Sequence, residues 1–143
     1  MKQMMLAVAA LAGLGLATSL SMRAGGKDAP VDQAGLDSGE MLAVIMPEMD
    51  DSYSLGRLAF GAKCAACHGD NAGGIEGSGP PLIHKIYEPS HHGDAAFFRA
   101  AELGVRAHHW PFGDMPPVEG ITRAEVAEII RYLRTVQRAN GIS

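Results

Sequence analysis

Cys64-Ala65-Ala66-Cys67-His68 is the stretch on which the reading of this 143-residue chain turns. It holds the only two cysteines, with a histidine directly after the second. A thioredoxin-like dithiol would need a strand ahead of the motif within an alternating β/α pattern, and no segment alternates convincingly between apolar and polar residues. Structural zinc usually takes four Cys or His ligands, often through a second spaced pair, and no second C-x-x-C exists. A buried, chemically silent pair of thiols is the plain alternative. Outward from the motif, Leu55, Leu58, Ala59 and Ala62 recur at helical spacing, with Ser52 or Ser54 as cap, so a helix leads into Cys64. Behind it, Gly69, Gly73, Gly74, Gly77, Gly79, Pro80 and Pro81 demand a loop. A second helix is expected over Ala95 to Leu103, with Asp94 as N-cap, Phe97, Phe98 and Leu103 as its apolar residues, and Gly104 as stop. Pro111, Gly113, Pro116 and Pro117 then make another irregular stretch. The last helix carries a Thr122/Glu125 capping box, an apolar stripe of Val126, Ile129, Ile130, Leu133 and Val136, and an Asn140-Gly141 stop.

These elements amount to an all-α fold of three to five helices joined by long Gly/Pro-rich loops. A domain of roughly 90 residues built this way buries a small fraction of its surface and needs something else in its core. The motif offers it. In C-x-x-C-H both thiols add to the two vinyl groups of haem, and the adjacent histidine lies under the iron. Cysteines three apart stand on one side of a helical turn, as the two linked porphyrin edges require, with His68 directed at the ring centre. One covalently bound haem c is therefore the expected cofactor.

The N-terminus looks like a targeting segment. Lys2 precedes an apolar run from Met4 to Leu20 with no charge until Arg23, the layout of a secretory signal. Residues 1–23 are read as a signal peptide or a retained membrane anchor, since the run approaches spanning length. That run also inflates the 47% hydrophobic content. Residues 24–51 are an acidic linker: from Ala24 to Tyr53 one base stands against seven acids. The patch Met41 to Met46 interrupts it and is expected to pack on the domain surface or against a partner. From Ser54 onward nine bases balance nine acids, and no basic stripe suits nucleic acid.

From about Ser52 to Ser143 the sequence resembles the class I cytochromes c. Gly56 and Phe60 lie eight and four residues before Cys64, and the resemblance implies that they pack against Ile129 and Tyr132 of the final helix. Gly79-Pro80-Pro81-Leu82 matches a family Gly-Pro-x-Leu, which implies that the Pro80 carbonyl accepts a hydrogen bond from the His68 ring nitrogen remote from the iron. Met115-Pro116-Pro117 matches the distal Met-Pro. His68 and Met115 are thus the expected axial ligands, and a soft thioether raises the reduction potential while closing the sixth position. Met115 as mere gap filler is the bland alternative. Trp110 is a candidate for bonding a haem propionate through its N–H, against simple packing on the ring.

His84, His91, His92, His108 and His109 add five imidazoles, including two adjacent pairs. One member of each pair is expected to bond backbone or a propionate while the other is solvated. His108-His109-Trp110, nearest Met115, is the reserve for a distal or propionate role. The protein is expected to be a single-electron carrier rather than an enzyme, monomeric, periplasmic or membrane-tethered, meeting redox donors and acceptors transiently through a face near Ala65, Ala66 and Gly113 to Pro117. A haem protein with a labile distal ligand that binds a small gas or peroxide is the alternative. A metal-binding protein built on the histidine pairs ranks third.

Overall fold

The computed structural model describes residues 39–143. The targeting segment and residues 24–38 of the acidic linker lie outside the described residues. Four α-helices follow in chain order: α1 (Ser54–Lys63), α2 (Ala65–His68), α3 (Asp94–Leu103) and α4 (Arg123–Ala139), with short 3-10 turns at Asp51–Tyr53 and Lys85–Tyr87. Among the described residues there are no strands, only isolated bridges pairing Ile75 with Gly79 and Val105 with Met115. No helix among them is long and apolar enough to cross a membrane.

Helix α4 organises the core. Its N-terminus is a capping box in which the Thr122 hydroxyl accepts from Glu125 N and the Glu125 carboxylate accepts from Thr122 N. These bonds occupy orphan amides of the first turn. Val126, Ile129, Ile130, Leu133 and Val136 are all buried, as their spacing predicts, and Asn140 with Gly141 (φ 74°) ends the helix. Helix α1 crosses α4 at Gly56. A Cβ there would fall 2.2 Å from the Glu128 carbonyl oxygen, so only glycine admits this approach. One turn on, Phe60 meets Tyr132 with ring centroids 5.8 Å apart, both side chains 1% exposed.

The glycine also corrects the apolar stripe expected on α1. Of that stripe Leu55 and Leu58 are 55% and 66% exposed and Ala62 is exposed as well; only Ala59 is buried, together with Gly56 and Phe60. Close backbone approach rewards the face that carries the glycine, and the leucines turn to solvent as a result. The cap differs too. Asp50 accepts from Ser52 N to start the 3-10 turn, and α1 follows at Tyr53 with no side-chain cap. In α3 the N-cap is Gly93, not Asp94, and Leu103 is exposed while Ala101 packs with Val126 and Ile130. Asp94 is instead engaged by Arg134.

Two further ties were not legible in the sequence. Arg134, 8% exposed in mid-helix, donates to the Asp94 carboxylate, the carbonyls of Tyr87 and His92, and Gln137 Oε1. Gln137, fully buried, donates to the Leu82 carbonyl. Together they pin the loop from Leu82 to His92 on α4. At the other edge the Met41–Met46 patch lies on the domain: Met41 N and Leu42 N donate to Gly74 O and Gly73 O, Val44 is buried, and Ile45 exchanges two hydrogen bonds with the Asn140 side chain.

Candidate cofactor site

Cys64, Cys67, His68, Pro80, Trp110 and Met115 all line one cavity of about 520 Å³, closed by apolar side chains of α3 and α4 such as Phe97, Ile129 and Leu133. That volume is in the range of cofactor sites. The motif is delivered by the end of α1, where Cys64 N still bonds Phe60 O, and by the single turn α2, in which His68 N bonds Cys64 O. Gly69 (φ 84°) stops that turn, and a Cβ on it would lie 2.2 Å from Glu40 Oε1. Glu40 accepts from Asn71 N at 2.7 Å and so holds the chain leaving the motif, a role that its place in an acidic stretch concealed. On the other side the loop packs on the motif so closely that a Cβ at Gly79 would meet the Cys67 carbonyl at 2.6 Å.

His68 is buried, and its Nδ1–H donates to the Pro80 carbonyl at 2.8 Å. That bond fixes the tautomer and leaves Nε2 with a free lone pair. Burial pushes the imidazole pKa down, partly opposed by the Pro80 carbonyl, so the ring is neutral, as a ligand must be. Burial raises the Cys64 thiol to about 11, with Cys67 adding to the effect. A redox dithiol needs a lowered thiol pKa; this site shifts it the other way.

Met115 is held on the loop between α3 and α4. Its N–H and carbonyl pair with those of Val105 at 2.9 Å, and Gly104 (φ 75°) is pressed so close that a Cβ would fall 2.4 Å from the Met115 carbonyl oxygen. Trp110 stacks on Phe112 and sets its edge against His84. Its Nε1 is buried and makes no full hydrogen bond, although it comes near enough to the Tyr87 hydroxyl to oppose the rise that burial gives that group's pKa. An unpaired buried N–H costs about 1–3 kcal/mol, so its acceptor should belong to whatever fills the cavity. Two thiols and a neutral imidazole at one end, apolar walls and an N–H without an acceptor suit haem c, whose propionates are acceptors.

The docking face expected near the motif needs one correction. Ala66 and Cys67 are exposed with Gly113, Asp114, Pro116 and Pro117, but Ala65 is 6% exposed and belongs to the core with Phe60 and Leu133. Helical geometry allows only part of so short a turn to face outward. The histidine pairs divide as expected in one respect: His92 and His108 bond backbone carbonyls, of Ile86 and Arg106. Their neighbours His91 and His109 are exposed yet meet each other. Lost solvation, then the nearby His108, His92 and His91, hold His109 below the usual histidine range.

Residues 53–137 match the Cytochrome c family. Comparisons with curated proteins and with solved structures return no match. The all-α architecture agrees with the family fold, and the match spans more than half of the chain. This chain, with Cys64 and Cys67 in its C-x-x-C-H motif, belongs to the cytochrome c family of electron-transfer proteins, which hold haem c covalently through those two positions.

Proposed function

We propose that the protein is a monohaem electron carrier in which His68 and Met115 are the axial ligands, exported to the periplasm and shuttling single electrons between redox proteins. When bound, haem c supplies the one-electron ferric/ferrous couple. The observation that carries the ligand assignment is the 2.8 Å bond from His68 Nδ1 to the Pro80 carbonyl, which presents Nε2 as a donor on a cavity that Met115 also lines. Pro80 orients the imidazole and raises its basicity. The Val105 pairing and the Gly104 contact restrain the Met115 backbone, so little reorganisation accompanies a change of charge. Trp110 is assigned to a propionate through Nε1. Apolar side chains of α3 and α4 exclude water, which with a thioether ligand favours the reduced state.

The partners are a donor and an acceptor protein that dock briefly at the exposed rim formed by Ala66, Cys67 and residues 113–117. The charge-free run after Lys2 supports export, by a cleaved signal or a retained tether, and the carrier acts as a monomer. Absorption spectra of the oxidised and reduced holoprotein, the latter with carbon monoxide, test the ligand set. The expected result is a ferric iron–methionine charge-transfer band and no response to carbon monoxide. Met115→Ala should abolish the band, lower the potential and admit carbon monoxide. An unchanged spectrum and potential would remove Met115 from its role, and ready carbon monoxide binding by the unaltered protein would favour a gas- or peroxide-reactive site.

A further inference from the structure

We infer that His91, His92 and His109 form a second metal site, for one divalent transition-metal ion, on the rim of the haem cavity. The three residues come from two loops: His91 and His92 from the turn before α3, His109 from the stretch before Met115. Their ligand atoms lie within 4.8 Å of one another. His91 Nε2 and His109 Nε2 are 3.4 Å apart. Two nitrogens bound at about 2.05 Å to a tetrahedral zinc stand about 3.3 Å from each other, so this pair already has the spacing of two ligands on one ion. The third ring, His92, lies within 4.8 Å of the other two and needs to close by at most about 1.5 Å.

The surroundings orient the donors. His92 Nδ1–H donates to the Ile86 carbonyl at 2.7 Å, which leaves Nε2 as the nitrogen with a lone pair, the arrangement that outer partners impose on metal-binding histidines. The backbone at the same residue is fixed twice more, by His92 N to Glu88 O and by the buried Arg134 guanidinium on the His92 carbonyl. On the other loop, Ala107 N donates to Asp114 Oδ1 and steadies the approach to His109. His91 and His109 are exposed, so an ion has access and a fourth position stays open to water. Three imidazoles without a carboxylate select zinc, copper or nickel over magnesium or calcium. Because the ligands span both loops, the ion would fasten the segment leading to Met115 to the turn anchored on α4.

The site is independent of the axial ligand assignment, and its test reads zinc rather than iron. Holoprotein stripped with a chelator is titrated with zinc ion alone, chosen because it is redox-silent, and followed by calorimetry and thermal unfolding. One ion per chain should bind with micromolar affinity and raise the unfolding midpoint. His91→Gln and His109→Gln should each weaken binding at least about tenfold, and the double variant should abolish it, with the haem spectrum unchanged as the check on folding. X-ray absorption at the zinc edge of the unaltered protein should find three imidazole ligands, which keeps the test independent of any variant. Binding only at millimolar zinc, binding undiminished in the double variant, or fewer than three imidazoles would overturn the proposal.

Discussion

Helix α4 meets α1 through side-chain fit, with Gly56 under the Glu128 carbonyl and Phe60 against Tyr132, while the loops from Leu82 to His92 meet α4 through the polar groups of Arg134 and Gln137. The contrast follows from backbone accounting. A helix satisfies its own amides and carbonyls, so two helices need only matching apolar surfaces. A loop brought against a core has carbonyls with no partner of their own, and here a buried guanidinium and a carboxamide supply the donors. Where the loops continue past Trp110 to Met115, even that provision stops: a cavity of about 520 Å³ and an unpaired indole N–H remain. The crossing of α1 and α4 is made by protein atoms alone, whereas the space between the loops and the inner faces of α3 and α4 is left for haem.

Removing the haem should therefore have the largest effect, and it should fall on the loop side first. The double substitution Cys64→Ala, Cys67→Ala is expected to yield a haem-free chain without cooperative unfolding, seen by circular dichroism with loss of the haem absorption. A stably folded haem-free variant would refute the view that haem supplies the missing core. Next comes Arg134→Ala, which strands the His92 carbonyl and Gln137 Oε1 and leaves the Tyr87 carbonyl only its longer bond from Gln137 Nε2. Denaturant titration of the holoprotein should show a loss of about 3 kcal/mol, with little recovery in Arg134→Lys, because an ammonium cannot reproduce the guanidinium fork.

The helical side is sharpened by Gly56→Ala. Helix propensity alone predicts a gain of about 1 kcal/mol, but a Cβ placed 2.2 Å from a backbone oxygen forces the helices apart, which costs about 1–3 kcal/mol by overpacking. Net destabilisation in denaturant titration is the expected sign, and a more stable variant would show the crossing to be loose. The smallest effect is on pH dependence. Burial, with Glu40 adding and Arg57 opposing, raises the Tyr132 hydroxyl above its ordinary value of 10.0. A raised folded-state value means that its contribution is fully present below about pH 10 and is lost as pH climbs through the folded value. Tyr132→Phe should flatten the alkaline fall in the unfolding midpoint, and an equally steep fall would assign it to other groups such as the half-buried Tyr87, also raised by burial.

What could be read in advance was what repeats or recurs locally. The capping box at Thr122 and Glu125, the stripe from Val126 to Val136 and the Asn140-Gly141 stop are short-range patterns, and all appear in the structure. The Pro80 carbonyl that the family resemblance implied also lies on the His68 ring, 12 residues along the chain, a contact that the motif's own spacing does not show. Leu55 and Leu58 misled because spacing marks a stripe without saying which face meets a neighbour; the glycine between them decided that. Glu40, in an acidic stretch, and Arg134, one charge among several on α4, carry no local mark of burial, for their partners lie 31 and about 40 to 47 residues away in the chain.

By itself, then, the amino-acid sequence determined the haem-attachment chemistry, the helical class and the ends of α4, because thiol spacing, helical period and capping act within a few residues. Tertiary structure alone decided which face of α1 is buried, which side chains hold the loops on α4, that Trp110 keeps a buried N–H without an acceptor, and that His91, His92 and His109 converge. Each of these is a meeting of segments distant in the chain, and it depends on how closely backbones approach and on which polar groups are left to satisfy.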